Sequence, residues 1–410
     1  MKQSWLFVGI GLVIIVATVA IFSSIYNDEK IIPEESEPII LDKKELEFQN
    51  KVVSISLDNE NAKKIVLKCF DEDEHCVVEE MEILSKNGDS NLVLATIGDI
   101  TAIYQELEID CHEQAHHLGE FLYGYTSNLT LALHSSDKSC GGAIYHGVMQ
   151  NYFASEILLE DSNPEDLRTN IICADISDYP YSEVRTQCAH GVGHGLAVAY
   201  DYDIFTAVKR CDEFEDGMAQ RFCNNGVFMQ NTLEFLDNSG GGLFDENDLL
   251  FPCNVVEEKY SAYCYQYQPS YFLSRMYYSM SEGFAECDKI VSEDDRKDCY
   301  YGMGMIISVI FFKNSDHAIT QCKKGDPNFQ TFCMVGAVYM IANNFRGDRA
   351  LEFCKVLEEN FKHDCYDTVG RWIHTIHPTN EEIQKSCSKA EVPKYYDVCI
   401  NADPKDLGLI

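Results

Sequence analysis

Cys188-Ala-His-Gly-Val-Gly-His-Gly195, Cys223-Asn-Asn-Gly-Val-Phe-Met-Gln230, Cys299-Tyr-Tyr-Gly-Met-Gly-Met-Ile306 and Cys333-Met-Val-Gly-Ala-Val-Tyr-Met340 are four versions of one phrase. In each, glycine stands three places after a cysteine, at Gly191, Gly226, Gly302 and Gly336, and a largely apolar stretch follows. Glycine costs about 1 kcal/mol in a helix interior relative to alanine. Its return at one register position predicts that backbones approach closely there. The cysteine that opens each phrase is the second of a couple. From Cys173 onward the couples are 173/188, 211/223, 253/264, 287/299, 322/333, 354/365 and 387/399, most of them separated by 11 or 12 residues. Successive couples are 32 to 42 residues apart, a period that signals stacked helical hairpins.

The first cysteine of a couple closes a helical stretch, as in Ala207-Val-Lys-Arg-Cys211 and Leu351-Glu-Phe-Cys354. A polar, acidic loop follows, such as Asp212-Glu-Phe-Glu-Asp216. The expected unit is therefore helix, Cys, acidic loop, Cys, helix, with a disulfide across the loop. A bridge over so short a loop contributes about 2–4 kcal/mol in the chain-entropy model. Eighteen cysteines, an even number, fit such a framework, and no C-x-x-C pair suggests metal thiolates. Cys69 and Cys76 are expected to pair across a short acidic loop, which leaves Cys111 and Cys140 for each other. Bonds of this kind persist in an oxidising compartment, so the chain is expected outside the cytoplasm.

The plan resembles tetratricopeptide and Sel1-like repeats over roughly residues 170–400, on period and glycine placement; the Trp-Leu-Gly-Tyr positions of the former are absent. The resemblance implies an all-α fold of helical hairpins stacked in a superhelix, with a concave face used for binding and no particular ligand; a scaffold that grips a peptide or protein there is one expectation.

An uncharged apolar run from Trp5 to Ile25 precedes this domain. It is long enough to span a bilayer core as one helix. Lys2 before it and Asp28 and Glu29 after it favour a cytoplasmic N-terminus. No small-x-small site follows, so residues 1–26 read as a transmembrane signal anchor rather than a cleaved signal peptide; either exports the rest. Residues 27–45, with Glu34, Glu35, Glu37 and two prolines, read as an acidic flexible stalk. Residues 46–200 form histidine-rich helical units and 201–410 the disulfide-stapled repeats. A net charge of −35 excludes a basic nucleic-acid footprint and favours solubility and attraction for cations.

Seven of the twelve histidines lie between 112 and 194. Six of them fall in Cys111-His-Glu-Gln-Ala-His-His-Leu-Gly119, Cys140-Gly-Gly-Ala-Ile-Tyr-His-Gly147 and the Cys188 phrase. Aligned on cysteine, His117, His146 and His194 share the sixth place, and Glu113 and His190 stand one turn earlier on the faces of His117 and His194. With the thiols in disulfides, imidazole and carboxylate are the ligands available, so these residues are candidates for a Zn or Cu site. Packed helices stand about 8–10 Å apart, so convergence requires the first units to curve sharply. A second reading uses the same segment. His112-Glu113-Gln-Ala-His116 resembles the zincin motif H-E-x-x-H, which implies His112 and His116 as zinc ligands and Glu113 as general base. The longer metzincin form departs here, with Leu122 where a third histidine stands. The order C-H-x-x-x-H-x-x-G, Y-H-G, H-G-x-G-H also resembles uncharacterised exported proteins, which implies a shared site and no particular reaction. A structural reading competes with both: histidines hydrogen-bonded in a tight seam beside glycines, in a scaffold that grips a partner. His374 and His377, in Trp-Ile-His-Thr-Ile-His-Pro378, read as a helix end.

Overall fold

The computed structural model describes residues 48–408 apart from 49, 70–74, 108–110, 137–138, 158–168, 174–181, 237–240, 312 and 378. The expected anchor (1–26) and stalk (27–45) lie outside the described residues. None of the described helices is long and apolar enough to cross a membrane.

The described chain is helical, and its one β-feature is an isolated bridge between Asp245 and Asp248. In order, the helices are α1 (Glu60–Lys68), α2 (Cys76–Asn87), α3 (Ser90–Glu106), α4 (His112–Thr126), α5 (Leu129–Ser135), α6 (Ala143–Ile157), α7 (Thr169–Ile172), α8 (Glu183–Ala199) and α9 (Ile204–Cys211). They continue with α10 (Gly217–Leu236), α11 (Glu258–Arg275), α12 (Met280–Cys287), α13 (Glu293–Ile310), α14 (Ser315–Cys322), α15 (Gln330–Val356), α16 (Glu359–Ile376), α17 (Asn380–Cys387) and α18 (Pro393–Ile400). Short polar side chains open many of them. Asp89, Asn128, Ser182, Ser292, Asn314 and Thr379 each accept a hydrogen bond from a first-turn backbone N–H that has no partner inside the helix.

The predicted unit is present. The short helices α9, α12, α14 and α17 each end on the first cysteine of a couple, at Cys211, Cys287, Cys322 and Cys387. A turn follows, and the second cysteine lies in the next helix. All the expected disulfides form, from Cys69–Cys76 and Cys111–Cys140 through Cys387–Cys399, and no cysteine is free. The long helices α4, α6, α8, α10, α11, α13, α15 and α16 pack in that order, each against the next.

Glycine sets the spacing of that row. A Cβ at Gly226 on α10 would stand 2.0 Å from the carbonyl oxygen of His190 on α8, and one at Gly147 on α6 would stand 1.9 Å from that of His116 on α4. Only hydrogen fits, so neighbouring backbones touch at the glycines, as their recurrence predicted.

The chain also curls back on its beginning. Gln187 on α8 donates from Nε2 to Asn343 Oδ1 on α15 at 2.9 Å, across 156 residues of sequence. The turn at Gly141 rests against the side chains of Asn343 and Asn344. These contacts close off one side of the α4–α6–α8 cluster, where the histidines lie.

Candidate metal centre

Three helices bring five imidazoles together. α4 supplies His112 and His116, α6 supplies His146, and α8 supplies His190 and His194. Ring centroids are 5.0 Å apart for His112–His116, 5.0 Å for His116–His146, 4.6 Å for His146–His190 and 4.9 Å for His190–His194. Two triads result, His112/His116/His146 and His146/His190/His194, with His146 common to both. Within each, one ligand atom per residue lies within 4.8 Å of the others. His146 and His194 are 2% and 0% exposed, so the cluster is part of the core rather than its surface. The disulfide Cys111–Cys140, with Cα atoms 5.4 Å apart, ties the start of α4 to the turn before α6. Histidines 30 and 34 residues apart are thereby held side by side.

The hydrogen bonds decide where the imidazole protons sit. His112 Nδ1 is 2.9 Å from the carbonyl of Cys140, an acceptor only, so Nδ1 carries the proton. His116 Nδ1 is 3.0 Å from Gln150 Oε1, His194 Nδ1 is 2.7 Å from Gln230 Oε1, and His146 Nε2 is 3.0 Å from Gln187 Oε1. The amide groups fix one another's orientation. Gln150 donates from Nε2 to Gln230 Oε1 at 2.7 Å, and Gln187 donates from Nε2 to Asn343 Oδ1. Each therefore turns its oxygen to a histidine.

These outward bonds leave lone pairs pointing inward. His116 Nε2 and His146 Nδ1 face each other at 3.2 Å with both protons committed elsewhere. Two bare lone pairs at that distance repel unless a cation lies between them. Zn–N bonds of 2.0–2.1 Å give a tetrahedral N···N edge of about 3.4 Å, close to the spacing seen. His194 Nε2 is buried and has no hydrogen-bond partner among the described residues. An imidazole whose far nitrogen donates to a fixed acceptor is the arrangement that orients metal-ligating histidines.

Burial keeps four of the five imidazoles neutral. It pushes His116, His146 and His190 well below the usual histidine range and His194 down to about 4. Neighbouring imidazoles add to the effect: His112 and His194 act on His116, and His190 and His116 act on His146. Neutral imidazole is the metal-binding form. No carboxylate belongs to either triad among the described residues.

The other candidate residues lie elsewhere. His117 faces away from the cluster, with its ring 5.0 Å from that of His75 and Nδ1 3.7 Å from Glu120 Oε2. Glu113 is exposed and is not a member of either triad. His377 bonds Ser386 Oγ at 2.9 Å, far along the chain. Reasoning from sequence passed over Gln150, Gln187, Gln230 and Asn343. One sign of them was present, since Gln150 stands one helical turn after His146.

No protein-family model, curated protein or solved structure matches the chain.

Proposed function

We propose that this is an extracytoplasmic protein, held at the membrane by residues 1–26, whose helical hairpins stack in a superhelix and whose first three long helices bind a divalent metal ion, zinc or copper. The ligands are drawn from His112, His116, His146, His190 and His194. One observation carries the reading: His116 Nε2 and His146 Nδ1 face each other at 3.2 Å while amide oxygens hold the protons on their far sides. The nine disulfides support placement in an oxidising compartment, where imidazole nitrogen remains a ligand after thiols are consumed. The set is uncharged, so a bound cation keeps its full charge and acidifies any water in an open position. This supports storage, delivery or a hydrolytic reaction, and the exposure of Glu113 argues for binding over hydrolysis through that residue.

The test is metal analysis of the chain purified without chelator or histidine tag and then equilibrated with Zn(II) or Cu(II). At least one tightly held ion per chain is expected. His194→Ala should lower that number and His377→Ala should not. A folded chain that retains no ion sinks the reading; it favours the scaffold, with histidines as core hydrogen bonders and a peptide or protein on the concave face.

A further inference from the structure

The two triads differ in one neighbour. Met229 on α10 places its Sδ 3.3 Å from His190 Nε2. In sequence Met229 holds the sixth place after Cys223, the register that holds His194 after Cys188. The repeat thus puts a thioether where earlier units put imidazole. The Phe222 backbone also bonds the His190 ring. In the tautomer with its proton at Nδ1, His190 turns the Nε2 lone pair to a sulfur that has no proton either. His194 repeats the pattern, since Nδ1 donates to Gln230 and the buried Nε2 has no partner among the described residues. Gln230 is the residue next to Met229, so one turn of α10 supplies the thioether and also orients His194.

Resting on the metal-binding reading above, we infer that the cluster is two sites, and that His190, His194 and Met229 form a copper site beside a zinc-type site at His112, His116 and His146. The argument is ligand softness. Thioether sulfur is a poor ligand for zinc and a good one for Cu(I), whereas three imidazoles with an open position suit zinc. Two nitrogens and one thioether make a low-coordinate, uncharged set. Its softness, not its charge, sets it apart from the first triad, which is equally uncharged. His146 Nε2 is committed to Gln187 and its Nδ1 faces His116, so His146 belongs with the first triad.

The experiment uses the full chain, loaded anaerobically with Cu(I) in ascorbate, a reductant that spares the disulfides, and separately with Zn(II). Copper X-ray absorption should show a sulfur scatterer beside nitrogen, and Cu(I) should be held against a chromogenic Cu(I) chelator. Met229→Leu keeps the side-chain volume and removes the sulfur. It should weaken Cu(I) retention at least about tenfold, the lower end of what losing a mere orienting partner costs. It should leave zinc stoichiometry unchanged. A copper shell of nitrogen alone, or Cu(I) retention unaltered in Met229→Leu, overturns the inference while zinc binding persists. A chain that binds neither ion overturns the proposed function as well.

Discussion

The metal-free protein should lose stability as pH falls from 7 to 5, well before ordinary carboxylates titrate. In the unfolded chain a histidine takes up its proton near pH 6.5. In the folded chain His194 does so only at about 4. Between these values the unfolded state holds the extra proton, so stability rises with pH, by about 1.4 kcal/mol per unit for each such group. Integrated from pH 7 to pH 5, His194 alone accounts for about 2 kcal/mol. Burial depresses His116, His146 and His190 in the same direction. One group opposes them: burial raises Asp298 to about 7, so its carboxyl stabilises the fold as pH drops through that value. Over the same interval Asp298 returns about 2 kcal/mol, which offsets His194, so the net loss comes from His116, His146 and His190.

The assay is thermal unfolding followed by circular dichroism, in chelator, at half-unit steps between pH 7.5 and 5. Apparent stability should fall steeply below about pH 6.5. His194→Gln should flatten the slope, and Asp298→Asn should steepen it. Added metal should move the onset to lower pH, because an occupied imidazole must lose its ion before it gains a proton. A stability independent of pH across this window refutes the reasoning. So does an unchanged slope in His194→Gln, because the buried neutral cluster is the source of the effect.

Two further outcomes concern the surroundings of the cluster. Gln187→Leu removes the acceptor for His146 Nε2 and frees the proton to move to the nitrogen that faces His116; metal affinity should fall about 10–100-fold, with the circular dichroism spectrum unchanged. Gly226→Ala sets a methyl 2.0 Å from the His190 carbonyl, so α8 and α10 must part. It should cost about 1–3 kcal/mol and lower metal content per chain, and a variant with wild-type melting would show that the crossing is looser than the glycines require.

The disulfide couples were legible in sequence because a covalent constraint leaves a covalent mark: from Cys173 onward each pair spans one short connection, and its length recurs. The site was legible in part. Aligning on cysteine assumes that every cysteine of the series plays one role, yet Cys188 is the second of its couple whereas Cys111 is the first. A bridge fixes where a helix starts and leaves free the face it turns inward. That face is set by the glycine crossings. Gly147 meets the carbonyl of His116 as Gly226 meets that of His190. In packing terms His116 therefore corresponds to His190, three places from the position the cysteine alignment assigns. His117 is carried off the shared face, and His112 and His116 enter it. The sign that finds them is the interval itself, because His112/His116 and His190/His194 are both spaced by four, one helical turn. Of the glutamines only Gln150, four places after His146, left such a sign. Gln150 meets Gln230 across 80 residues and Gln187 meets Asn343 across 156, so their role exists only once the helices have curled together.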